Sequence, residues 1–278
     1  MTQSRTFWRA VEAIHDVVYF APDVRERYEA VGLKGYWMGY VASRSAALGT
    51  PTPTLVTALF HGFAPAIVQR ALPDAWSLAD RDDVLATRTR LATDALTPVV
   101  ADLDVARMAR DLSLLIDGLD FSGRPLAAAH RDLPAPEDDV ARLWWAATVI
   151  REYRGDSHVA VLTAAGLDGA AANALAVAAG LVPAEQRTVR GWTEDEWAAA
   201  VGRLGTRGWV DVDGALTDTG RAARSQVEDT TDRVAAGGFD REATARAITV
   251  EDSVAAVARR LAGSGAVTYP NPTGVPPA

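Results

Sequence analysis

The chain has 278 residues, 49% of them apolar, with no cysteine and a formal net charge of -8. That supplies ample material for a packed core and excludes disulfides, zinc–thiolate sites and a cysteine nucleophile. Net acidity argues against the generally basic surface that nucleic-acid binders use, while leaving a local basic face open.

The pattern is almost wholly helical. Trp8, Val11, Ile14, His15 and Val18 share a stripe at helical spacing and predict a helix over 6–19. Pro22-Asp23 opens a second helix, which Gly32 stops. A third spans 35–48, and Thr52-Pro53-Thr54 introduces a very apolar helix over 54–71 that Pro65 should kink. Helices follow over 81–101, 104–117 and 123–131, and Pro134-Ala135-Pro136 reads as a linker. Beyond it, helices are expected over 138–153, 157–166 and 169–180. Thr193 and Glu196 make a capping box for a helix ending near Gly208. Alternation around Asp213-Gly214, between Trp209 and Thr217, marks a small β-hairpin. Helices over 218–235 and 240–262 complete the pattern, and a tail from Tyr269, rich in proline and glycine, reads as extended on the surface.

No apolar run reaches bilayer-spanning length. The start, Met1 to Thr6, lacks the apolar segment of a secretory signal, so a cytoplasmic location is expected and no membrane partner.

Three stretches recur. Ala30-Val31-Gly32-Leu33-Lys34-Gly35 returns as Ala164-Ala165-Gly166-Leu167-Asp168-Gly169, and Leu78-Ala79-Asp80 and Thr93-Asp94 match Leu216-Thr217-Asp218 and Thr231-Asp232. Such recurrence points to a duplicated unit.

The segment from Thr193 to Arg207, with Gly208-Trp209-Val210 and Leu216 to Gly220, resembles the winged-helix half of MarR-type regulators. Ile14 to Phe20, Arg151 to His158 and Arg190 to Thr193 carry a second likeness, spanning nearly the whole chain, to the SalK-like actinobacterial proteins labelled helix-turn-helix. Some of that group accompany secondary-metabolite gene clusters. Together these resemblances imply an all-α fold with one short β-hairpin, built as two tandem winged-helix-like units. The first, 1–133, is degenerate and wingless; the second is 137–268, followed by the tail 269–278. MarR-type proteins dimerise through terminal helices, which makes 240–262 the expected contact of a homodimer.

The would-be DNA-reading helix begins Thr193-Glu194-Asp195-Glu196, and the candidate wing holds Asp211 and Asp213 without lysine or arginine. Carboxylates there repel phosphate and release no counterions. Helix-dipole stabilisation of acids at a solvated N-terminus is the simpler explanation of the three. Arg203, Arg207, Arg221, Arg224 and Arg233 remain as basic positions for one side.

His15, His61, His130 and His158 form no close pair, so no metal site is expected. His15 and Tyr19 share a helix face; they read as core residues, or as polar contacts of a pocket, with haem ligation or general-base work open to the histidine. Arg44 follows Tyr40 by one turn on an apolar helix, so burial would demand an anion, either an internal carboxylate or a ligand. Arg151 to His158 is the densest polar cluster, read first as a helix end, a turn and an N-cap at Asp156 or Ser157. Its functional reading gives Arg151 a ligand contact and makes Asp156 and His158 an acid–base pair. No glycine-rich phosphate loop occurs and no cofactor is assigned.

The function this implies is a small-molecule-binding protein on a degenerate winged-helix scaffold, with a pocket between the two units. His15, Tyr19, Arg44 and Arg151 are its ligand contacts, and a biosynthetic or cofactor-assisted reaction stays open. The alternative is a MarR-like, ligand-responsive, DNA-binding transcription regulator.

Overall fold

The computed structural model describes residues 5–276. The first four residues and the last two of the tail lie outside the described set.

The chain opens with α1 (Arg5–Phe20), α2 (Val24–Ala30) and α3 (Gly35–Ser45), the last running into a 3-10 turn at Ala46–Leu48. Next come α4 (Pro53–Leu59), α5 (Pro65–Ala71), α6 (Ala75–Leu78), α7 (Arg81–Val100), α8 (Val105–Ile116) and α9 (Pro125–Arg131). The single kinked helix expected over 54–71 is therefore two helices. Ala64 precedes a proline and is extended (ψ 139), so Pro65 starts α5 at its first position instead of bending a continuous helix.

The second half holds α10 (Asp139–Ala164), α11 (Gly169–Ala178), α12 (Gln186–Val189), α13 (Glu194–Thr206), α14 (Asp218–Gly237) and α15 (Arg241–Ser264). The break expected between 153 and 157 is absent, because α10 runs through it. Asp156 does not cap its own helix: its Oδ2 accepts from the Leu126 and Ala127 amides (2.9 and 3.0 Å) and so caps α9. Ser157 Oγ donates back to the Tyr153 carbonyl (2.9 Å), a bond compatible with an unbroken helix. The expected hairpin shrinks to one antiparallel bridge, Val210 with Leu216. Asp211 Oδ1 accepts from the Asp213 and Ala215 amides and tightens the turn before any strand develops.

Sequence caps explain most helix starts. Asp80, Asp104, Asp138, Asp168, Thr193, Thr217 and Asp240 each accept a backbone amide of the first turn. The Gly-Leu recurrence is a shared helix stop. Gly32 and Leu33 donate back to Glu29 and Tyr28, and Gly166 and Leu167 donate to Thr163 and Leu162 in the same pattern. Gly180-Leu181 and Gly208-Trp209 stop α11 and α13 identically.

Two apolar clusters form. The larger unites α1, α3, α7, α8, α9, the first half of α10 and α15. The smaller joins the end of α10 with α11, α13, Val210 and Val227 of α14. The apolar face of α15, including Val250, Val254, Val257 and Leu261, is taken up against α1 and α8 within the chain. No single helix among the described residues is long and apolar enough to cross a membrane.

The smaller cluster docks on the loop between α4 and α5. The Gly62 carbonyl accepts from Asn173 Nδ2 (2.8 Å) and Trp192 Nε1 (3.2 Å), and Ala64 N donates to the Arg190 carbonyl (2.9 Å). A Cβ on Gly169 would stand 2.0 Å from the His61 carbonyl oxygen. Gly169→Ala is therefore expected to cost about 1–3 kcal/mol by overpacking. Gly202→Ala, in an exposed part of α13 with open space around it, should instead gain up to about 1 kcal/mol from helix propensity. Urea unfolding of the two variants checks the contrast.

Candidate functional site: an arginine-lined cleft

Between Tyr153, in the larger core, and Val161, in the smaller, α10 crosses open ground. There it borders a cleft of about 1290 Å³, walled by α1, α3, the Phe60–Phe63 loop, α11, α14 and the tail from Tyr269. The chain is acidic overall, but this lining is not. Eight arginines, among them Arg44, Arg151, Arg154 and Arg190, stand against four carboxylates, Glu12, Glu152, Asp156 and Glu228.

At the floor, Arg44 on α3 forks Glu152 on α10, Nε to Oε1 and Nη2 to Oε2, both at 2.8 Å. Arg151 Nη1 shares Oε2 at 2.9 Å, and its Nη2 reaches Glu12 on α1 at 3.3 Å. Glu152 is 1% exposed. Burial alone would raise its pKa, but Arg44 and Arg151 hold it well below the usual carboxylate range. Arg44 also lies over the Phe60 ring, 4.4 Å from its centre.

Arg190 is bound differently. Its Nη2 donates to the Pro272 carbonyl (2.6 Å), its guanidinium stacks on Phe63 at 4.3 Å, and its Nε is buried without a partner. Among the described residues no carboxylate pairs with it. Burial, helped by the Arg44 and Arg151 charges, lowers its pKa. Tyr40 sits among these cations. Burial pushes its phenol up, yet Arg44, Arg190 and Arg151 together outweigh that and hold it below its ordinary value.

The structure thus brings Arg44, Arg151, Asp156 and His158 to one cleft and leaves His15 and Tyr19 outside its lining. His15 is fully buried, with Nδ1 at 2.9 Å from Thr148 Oγ1 and Nε2 at 2.9 Å from the Tyr19 hydroxyl. Burial, aided by Arg151 and Arg88, pushes its pKa well down. Asp156 and His158 engage separate partners. While Asp156 caps α9, His158 Nδ1 lies 2.9 Å from Thr231 Oγ1 on α14. Burial lifts Asp156 to about 6 and lowers His158 to about 4. Glu152 and Arg190 are site residues that motif reading passed over. The signal for Glu152 was Arg44 itself, whose burial requires a carboxylate on an equally apolar helix.

The α11–α13 surface has its own chemistry. Glu194, Asp195 and Glu196 are exposed at the start of α13. Arg203 is bonded to Asp168 (2.6 Å), Arg207 lies over the Trp209 ring (3.8 Å), and Arg221 pairs with Asp218. The first turn of α11 faces the His61 carbonyl.

Two expectations follow. Glu152→Gln leaves the buried Arg44 without its carboxylate and Arg151 with Glu12 alone, and should cost about 3–5 kcal/mol, with Arg44→Met/Glu152→Gln costing less than the sum of the single changes. A double-mutant cycle in urea measures this. The second concerns pH. The pKa of His158 is depressed in the folded state from 6.5 to about 4, so its contribution is present above 6.5 and is lost as pH falls towards 4. Asp156, raised on folding, acts in the opposite sense, so the informative quantity is the difference between wild type and His158→Gln. That difference should shift against the wild type over this window in urea titrations at stepped pH.

A family model described as a helix-turn-helix family matches residues 4–268. No curated protein and no solved structure matches the chain. The tail that walls the cleft lies beyond the matched segment, and the match covers almost everything before it: this chain belongs to the helix-turn-helix family.

Proposed function

We propose that the protein binds an anionic small molecule in the cleft between its two apolar cores, on a winged-helix-like scaffold whose nucleic-acid-facing surface has been given over to other contacts. The observation that carries this is Arg190, a half-buried cation met by a backbone carbonyl, an aromatic face and the Tyr40 hydroxyl, and paired with no carboxylate among the described residues. Charge left uncompensated beside Arg44 and Arg151 favours an anion with hydrogen-bond acceptors, such as a carboxylate or phosphate ester. The volume of the cleft suits a molecule of cofactor or metabolite size. Phe60, Phe63 and Trp8 supply apolar wall for its body.

The second reading is a ligand-responsive, DNA-binding regulator, favoured by family membership. Against it stand the acidic start of α13 and the α11 N-terminus turned towards His61. In such motifs one helix reads bases and the other crosses the phosphate backbone. Arg203, Arg207 and Arg221 are already engaged within the chain. A fold shared with regulators is not itself evidence of regulation.

Thermal-shift titration with carboxylic acids and phosphate monoesters of cleft-filling size tests the reading. At least one should raise the melting temperature of the wild type, with a tenfold or greater loss of affinity in Arg190→Ala. If no anion stabilises the protein, while sheared genomic DNA binds with a steep salt dependence that Arg190→Ala leaves intact, the regulator reading replaces this one.

A further inference from the structure

A second cavity, of about 250 Å³, lies between α7, α9 and α10, apart from the arginine-lined cleft. Two of its wall residues are buried polar groups with an unused atom. Arg88 is 1% exposed. It donates to two hydroxyls, Tyr19 (3.0 Å) and Ser43 (3.2 Å), and its guanidinium stands over the rings of Tyr19 and Trp144 at 5.2 and 5.5 Å. No carboxylate pairs with it among the described residues, and its Nε is buried without a partner. A guanidinium taken out of water with only neutral partners is incompletely compensated.

The other is His130, 2% exposed, with Nε2 unpartnered. Burial lowers its pKa to about 4, so the ring is neutral near pH 7. The Arg44 backbone binds its other side. A neutral ring that donates from Nδ1 to a carbonyl keeps its lone pair on Nε2, which then accepts. The rest of the wall is mostly apolar, with Trp144, Trp145 and Ala86.

The geometry points to a binding site here for a small hydroxy acid. Its carboxylate meets Arg88, its hydroxyl donates to His130 Nε2, and a compact apolar body packs on the two tryptophans. The cavity holds about eight waters' worth of liquid at roughly 30 Å³ each, room for a molecule of that size. Arg88 supplies the charge that a neutral ligand would leave unmatched. The His130 lone pair discriminates against an acid without the hydroxyl, because a buried acceptor would then stay unpaired.

Calorimetry with 2-hydroxyisocaproate at pH 7, against its deoxy analogue 4-methylpentanoate, tests the site. The hydroxy acid should bind at one site with at least fivefold preference over the analogue. Binding should survive Arg190→Ala, which strips the large cleft, and should fall at least tenfold in Arg88→Met. Ala86→Leu fills the cavity from its partly exposed side and keeps the Arg88 network, so it should abolish binding even if Arg88→Met folds poorly. Absence of saturable binding, equal affinity for the two acids, or binding indifferent to Ala86→Leu overturns the assignment.

Discussion

The architecture turns on one buried carboxylate. Glu152 lies in the middle of α10, held by the Arg44 fork from α3 and by its neighbour Arg151, which reaches on to α1. A charge buried to that degree is tolerated only with its partners in place. The pairing therefore fixes three helices relative to one another at the point where the larger core ends. It also sets the sign of the cleft. A single carboxylate, aided by the more distant Glu12, faces Arg44, Arg151 and Arg190, and the excess of positive charge is what Tyr40 registers in its depressed phenol.

From that floor the rest of the cleft follows as a matter of topology. The same helix leaves one core, passes the cleft through Arg154 to Val159 and enters the second, so the gap between the cores is lined by its middle. The far side is closed by the α4–α5 loop, which grips α11 through the Gly62 carbonyl. This grip holds α11 against the first half of the chain. A helix N-terminus is a ready anion site when it is open, and here the start of α11 is turned against protein. The acids at the start of α13 stay in solvent.

Much of this was legible in the sequence because helix ends are written in local chemistry. The Asp and Thr caps and the Gly stops operate over four or five residues, and nearly every one marks the boundary it implied. The errors fall where distant contacts override local signals. Arg154-Gly155-Asp156 looks like a helix end, but Asp156 spends its acceptor capacity on α9, leaving α10 free to continue. α10 also buries different faces in its two halves, so no single apolar stripe runs its length to announce one helix. Recurrence of Gly-Leu looked like duplication, and a stop used at five helix ends among the described residues accounts for that part of it. His15 and Tyr19 share a face as expected, yet that face points into the core. Arg88 carries no motif, and Arg190 entered only as part of the Arg190–Thr193 likeness: what distinguishes both is the lack of a paired carboxylate among the described residues, a property of the folded chain alone.

The tail is pinned to the cleft it walls. Its stretch from Tyr269 to Pro276 holds Pro270, Pro272 and Pro276, whose nitrogens carry no hydrogen to donate. Thr273 turns its hydroxyl away to Asp16, and Asn271 is bound within the tail itself. The Pro272 carbonyl accepts from Gln186 Nε2 (3.1 Å) and from Arg190 Nη2 (2.6 Å), so the tail sits on the same side as the cleft's carboxylate-free cation. Displacing the tail would free the Gln186 amide and the Arg190 guanidinium together, so order in this short segment and exposed positive charge in the cleft are tied to each other.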